Sequence, residues 1–160
     1  MKQFFFLLTV LKGKNIMGIN FSGNNSIDAL LLDLYWNEAG ESLSLTYSMN
    51  SLGSNGLDLD EQAMVREALT RWTEVANISF QKVTSGGDLR FFGQAGTGGV
   101  ARLSSQSSGL LQHVDIELGK DSETGIGNRF LEVALHEIGH ALGLKHPGNY
   151  NGSREGTPPF

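Results

Sequence analysis

HEIGHALGLKH, residues His136 to His146, decides how the rest of the chain is read. His136 and His140 are four apart, so on a helix they stand on one face, one turn above the other. Glu137 sits beside the first of them, and Gly143 is the natural end of the helical run. His146 follows three residues later, within reach of the same point in space. Three neutral imidazoles converging there make the protein half of a catalytic zinc site, with the remaining position open to water. Zinc lowers the pKa of such a water toward neutrality, and a carboxylate next to the first ligand can take its proton. Five fixed residue types within these eleven positions arise by chance about once in a million windows, so the spacing is specific.

The helix that carries the motif is expected to be capped by Asn128. Phe130, Leu131, Ala134, Leu135, Ile138 and Leu142 give it a core-facing stripe, and Gly139 permits close packing behind the site. A second helix is expected from about Leu59 to Ala76, capped by Asp58 or Asp60, with acids in its first turn to suit the dipole. Its apolar stripe of Val65, Ala68, Leu69, Trp72 and Val75 reads as core and not as a ligand site.

Strands show in the alternation of Leu43, Leu45 and Tyr47 with Ser42, Ser44, Thr46 and Ser48. Val114, Ile116 and Leu118 alternate in the same way with His113, Asp115 and Glu117. Ile78 to Val83 and Leu89 to Phe92 are strand-like about the turn Ser85-Gly86-Gly87-Asp88, and Val100 to Leu103 adds a short strand. Ile27 to Trp36 is apolar at helical spacing and is expected to be a short helix or turn packed on the body. Gly93 to Gly99 lacks the Lys-Ser/Thr ending and following helix of a phosphate-binding loop, so a flexible surface loop is expected. Strand, helix, strands, helix is the order of an α/β sandwich with one mixed sheet and two principal helices.

Composition sets bounds on function. The 160 residues suit one domain with a real core, and 39% hydrophobic residues with 21 glycines fit a loop-rich enzyme better than a helical bundle. A net charge of −5 with no Lys/Arg cluster argues against nucleic acid as a partner. With no cysteine, any zinc must be held by histidine and carboxylate. No apolar run approaches the roughly eighteen residues of a membrane-spanning helix. Lys2 and the apolar run Phe4 to Leu11 match a signal-peptide core in length, but no small-x-small cleavage site follows. Residues 1–17 are thus a signal-like segment or an extension upstream of a start at Met17.

With its flanks, the motif resembles the metzincin zinc peptidases, whose pattern is HExxHxxGxxH. Pro147 directly after the third histidine, followed by Gly148-Asn149-Tyr150-Asn151, is similar to the serralysin branch. So are Ile27-Asp28-Ala29-Leu30-Leu31, Trp36, Leu45-Thr46-Tyr47-Ser48, and the run from Ala68-Leu69 through Trp72 to Val75-Ala76-Asn77-Ile78-Ser79-Phe80. The likeness covers about residues 19–152.

It implies an α/β (α+β) metzincin-like fold: a twisted, mixed five-stranded sheet packed on two main helices, with the cleft along the sheet's edge strand. It also implies a zinc-dependent endopeptidase acting on extended protein or peptide substrates. His136, His140 and His146 would bind zinc and Glu137 would be the general base. Gly99, Val100, Ala101, Arg102 and Leu103 would lie on the edge strand that pairs with substrate. An extracellular, monomeric enzyme with no membrane span is the matching expectation.

Two family features do not appear. Met1, Met17, Met49 and Met64 all precede His146, whereas metzincins carry a Met-containing turn after the third histidine. The Gly- and Asp-rich calcium repeats of secreted serralysins are also missing. Residues 18–160 therefore read as a catalytic domain lacking its C-terminal subdomain, and an inactive zinc- or peptide-binding fragment stands as the alternative to an active peptidase.

The remaining polar residues have plainer readings. His113 beside Asp115 reads as a surface residue, and Tyr150 as a residue closing a loop. Glu132 reads as a solvated helix face, with a hydrogen bond to an imidazole as its alternative. Asp115, Glu117, Asp121 and Glu123 show no EF-hand spacing, which puts solvation ahead of calcium.

Overall fold

Asp58 starts the first helix with a reciprocal cap. Its carboxylate accepts from the Glu61 N–H at 2.8 Å, and the Glu61 carboxylate accepts from the Asp58 N–H at 2.7 Å. The helix so fixed, α1, spans Leu59–Val75 and buries Val65, Ala68, Leu69 and Trp72. The second, α2, spans Arg129–Ala141 and buries Phe130, Ala134, Ile138 and Ala141. The two helices meet where Gly139 faces Trp72: a Cβ at 139 would stand 3.3 Å from the indole Cζ2. The Trp72 N–H is satisfied there by the Leu135 carbonyl at 3.2 Å, so a large ring is buried without stranding its donor. These features belong to a computed structural model that describes residues 15–16, 19–20, 28–32, 34–37, 42–121 and 129–146.

The strands are β1 (Asn15–Ile16), β2 (Ile19–Asn20), β3 (Leu43–Met49), β4 (Ile78–Lys82), β5 (Leu89–Gln94), β6 (Gly99–Ser105) and β7 (Leu111–Gly119). β1 and β2 pair only with each other, antiparallel. The other five form one sheet in the order β4-β3-β5-β7-β6. Every neighbour is parallel except β6, which runs antiparallel to β7. Leu45, Tyr47, Leu89, Phe91, Val114, Ile116 and Leu118 join the buried residues of α1 and α2 in one core. The expected mixed five-stranded sheet on two helices is what forms. The antiparallel β6 ends the sheet beside α2 and pairs with no further strand among the described residues.

One local expectation gives way, and another holds in part. Gly93 to Gly99 is not one flexible loop: Gly93 is buried within β5 and Gly99 opens β6. Residues 95–98 connect them, held by the Gly96 N–H donating to the Asp121 carboxylate at 2.7 Å. Of the segment Ile27 to Trp36, residues 28–30 form the expected turn, Leu34 and Trp36 pack on the core, and Leu31 and Tyr35 make isolated bridges to Leu144 and Leu110. Its helical spacing loses because backbone groups of two distant segments satisfy its N–H and C=O groups. The proposed cap Asn128, together with Glu123, Pro147 and Tyr150, lies outside the described residues.

Candidate metal centre

α2 presents His136 and His140 from one face, and the chain then reverses at Gly143, whose φ of 95° is the left-handed conformation that glycine adopts without a Cβ clash. The Gly143 N–H bonds to the His140 carbonyl and the Leu144 N–H to the Gly139 carbonyl, each at 3.0 Å. That compact turn brings His146 back over the first two histidines.

The three ring nitrogens converge. His136 Nε2 lies 3.0 Å from His140 Nε2 and 2.9 Å from His146 Nε2, and all three candidate ligand atoms fall within 4.8 Å of one another. His140 Nδ1 is 2.8 Å from the Leu144 carbonyl, which can only accept, so Nδ1 carries the proton and Nε2 offers a lone pair. A single proton on His136 Nε2 can serve one of its two neighbours but not both. A shared cation resolves that crowding. Ligands about 2.0–2.1 Å from a tetrahedral zinc stand about 3.3 Å apart, an opening of a few tenths of an ångström from the observed arrangement. The donor set and its geometry fit zinc. Among the described residues this is the one cluster of its kind.

Electrostatics favour the ligand form. Burial, then the neighbouring His140, holds His136 below the ordinary imidazole range. His146 is lowered by burial and by both other histidines, with Glu137 opposing. Glu137 itself is only 6% exposed, and burial pushes its carboxyl up against the opposing pull of His140, the Ala101 N–H and His146.

The bond from Ala101 ties the carboxylate to the sheet edge. The Gly98 carbonyl accepts from the Gly119 N–H at 2.7 Å, and the β6–β7 register pairs Val100 with Glu117 and Arg102 with Asp115. By the alternation of an antiparallel ladder, Gly99, Ala101 and Leu103 then turn their backbone groups to the outer edge. Close approach of α2 to this edge depends on Gly99, where a Cβ would stand 2.6 Å from Val133 Cγ1 and 2.7 Å from Glu137 Cγ.

A cleft of about 460 Å³ is lined by the three histidines, Glu137, Leu32 and the β6 residues Gly99, Val100, Ala101 and Leu103. Arg102 is not among its lining residues. Its guanidinium instead grips the Glu117 carboxylate at 2.9 and 3.1 Å. Glu132 is exposed and His113 half-buried on β7. Asp115 lies 3.6 Å from Arg90 Nε, and Asp121 holds Gly96. Leu32 is the lining residue that sequence reasoning did not find, because nothing local to residues 28–36 signals that they cross the site.

The matrixin family model, Peptidase_M10, matches residues 35–152. "Metallopeptidase AprA" of Pseudomonas marginalis is 32% identical over 155 residues, covering 88% of this chain and 31% of the relative. "Serralysin" of Photorhabdus sp. (strain Az29) is 26% identical over 173 residues, covering 93% and 36%. The chain thus spans about a third of the length of these curated relatives. The structure of myroilysin shares the fold, with a TM-score of 0.52 at 23% identity over 71% of this chain and 52% of that one. Fold, motif and matches agree: this chain belongs to the matrixin family of zinc-dependent metallopeptidases, as a serralysin-like metzincin.

Proposed function

We propose that the chain is an endopeptidase that hydrolyses peptide bonds in extended protein substrates. The observation that carries this reading is the convergence of three imidazole nitrogens beside a buried carboxylate and an open strand edge. His136, His140 and His146 would hold zinc through Nε2, and the His140 bond to the Leu144 carbonyl fixes that ring's tautomer and orientation. Bound there, zinc supplies Lewis acidity, which polarises a peptide carbonyl and acidifies water near neutral pH.

Glu137 moves the proton: its carboxylate accepts one from the attacking water and delivers it to the leaving amine. Burial raises its basicity, which suits it to that exchange. The outward backbone groups of Gly99 and Leu103, with the Ala101 carbonyl, receive the substrate as an added strand, while the Ala101 N–H stays with Glu137. Likeness to the serralysins supports an extracellular enzyme, read as a monomer, whose peptidase domain includes residues 18–160.

The test takes zinc content by mass spectrometry, then cleavage of a denatured protein with and without chelator. Cleavage is expected and chelator should stop it. Zinc uptake without chelator-sensitive cleavage would instead identify a metal- or peptide-binding fragment. Glu137→Ala should keep its zinc and lose at least about 100-fold in rate. A Glu137→Ala variant cutting at the wild-type rate would remove Glu137 from its role. His146→Ala should lose zinc on dialysis, and unchanged stoichiometry would count against it as a ligand.

A further inference from the structure

The segment from Leu30 to Trp36 is bonded to the chain at both ends. At one end the Leu32 N–H donates to the Gly143 carbonyl and the Lys145 N–H donates to the Leu30 carbonyl, each at 2.8 Å. Between these bonds Leu31 pairs antiparallel with Leu144. At the other end the Tyr35 N–H donates to the Gly109 carbonyl at 3.1 Å, and the Leu111 N–H donates to the Tyr35 carbonyl at 2.7 Å. Those partners are Gly109 in the turn joining β6 to β7 and the first residue of β7. The Trp36 indole N–H donates to the Ala141 carbonyl at 2.7 Å, satisfying an acceptor that the end of α2 leaves open.

His146 is the ligand that α2 does not hold. His136 and His140 take their positions from regular helix, but His146 takes its position from residues 143–145. The carbonyl at 143 and the amide at 145 both find their partners on this segment. From the inner side, the Leu144 carbonyl accepts from His140. Residues 143–145 are therefore gripped from two sides, by a ligand ring within the site and by a distant stretch of chain outside it.

We infer that Leu30–Leu32 is a positioning strap for the third ligand, ordering residues 144–146 so that His146 stands ready before metal arrives. The role rests on the reading of the three imidazoles as the zinc site. Preorganisation is what the strap contributes. Without it, zinc binding would have to order two or three backbone residues, which weakens affinity by at least about tenfold. A strap that served stability alone would lower the melting temperature and leave the zinc affinity of folded molecules unchanged.

The experiment compares two variants of the full chain, titrated with zinc against a chromophoric chelator. Leu32→Pro deletes the N–H that bonds Gly143 and keeps an extended backbone, whereas Leu32→Ala keeps the N–H and trims the side chain. Leu32→Pro is expected to bind zinc at least about tenfold more weakly than Leu32→Ala. Equal affinities, with zinc taken up by the wild type, overturn the strap. A wild type that takes up no zinc overturns instead the site reading beneath it. Should Leu32→Pro fail to fold, amide hydrogen exchange of the metal-free wild type decides. Slow exchange at Leu32 and Lys145 supports the strap, and free-chain exchange at both rejects it.

Discussion

Adding one methyl group at Gly99 should disable the enzyme more than it destabilises the fold. The new Cβ would stand 2.6 Å from Val133 Cγ1, 2.7 Å from Glu137 Cγ and 3.1 Å from Glu137 Oε1. Carbon atoms in contact prefer about 3.5–4.0 Å, so about 1 Å must be recovered. The two neighbours yield differently. Val133 is β-branched and stiff, so relieving it moves α2 away from β6. Glu137 can swing, but swinging takes its carboxylate off the Ala101 N–H and out of the cleft.

Overpacking of this kind costs about 1–3 kcal/mol, a fall in Tm of about 2–12 °C for a chain of this size. A 1 Å displacement of a catalytic group costs about 100-fold in rate. For Gly99→Ala we expect kcat/KM on a quenched extended peptide to drop about 100-fold, with zinc content kept. Adding Val133→Ala should restore part of the Tm and little of the rate, because the clash with Glu137 persists. Gly99→Ala with wild-type kcat/KM would refute the claim that this glycine seats the carboxylate.

Two further outcomes follow from burial and capping. Burial raises the Glu137 carboxyl above its ordinary value of 4.5, so the folded chain binds that proton more tightly than the unfolded chain does. The cost of the buried charge is therefore present above the raised pKa and vanishes as pH falls below the ordinary one. Glu137→Gln should raise the Tm of the metal-free chain at pH 7, by a margin that shrinks toward pH 4.5; a lowered Tm at pH 7 would contradict burial as the dominant cause. Asp58→Ala should cost about 1 kcal/mol by removing the cap of α1, or about 2–4 °C in a thermal melt, with zinc content unchanged.

Much of this arrangement could be read from sequence because its determinants are local. The ligand spacing needs only helix geometry and one glycine, and Val65, Ala68, Leu69 and Trp72 announce α1 by period alone. Asp58 with Glu61 is a cap readable from four residues. What escaped is what depends on remote partners. Leu30 to Leu32 carry helical spacing, yet their backbone bonds go to Gly143 and Lys145, more than a hundred positions away. Composition put Gly99 in a loop and the family likeness put it on the edge strand, where it lies; its need for a bare Cα was not legible, because that comes from Val133 and Glu137 on another element. Arg102 sits on the edge strand as expected, but the two-residue alternation of β6 turns it toward Glu117 and away from the cleft.

An open strand edge that can receive any extended chain is also a template for unwanted association with copies of itself. β6 is such an edge, and its defences are built from the site. It is seven residues long, and its ladder with β7 shifts register past Ser104, where Gln112 of β7 is the extra residue between the pairs Ser104–His113 and Ser105–Leu111. The Glu137 carboxylate takes the Ala101 N–H out of the row of free donors. The residue to which the proposed reaction gives the proton transfer thus also guards the edge against association, and a variant that trims Glu137 carries a less protected edge into solution.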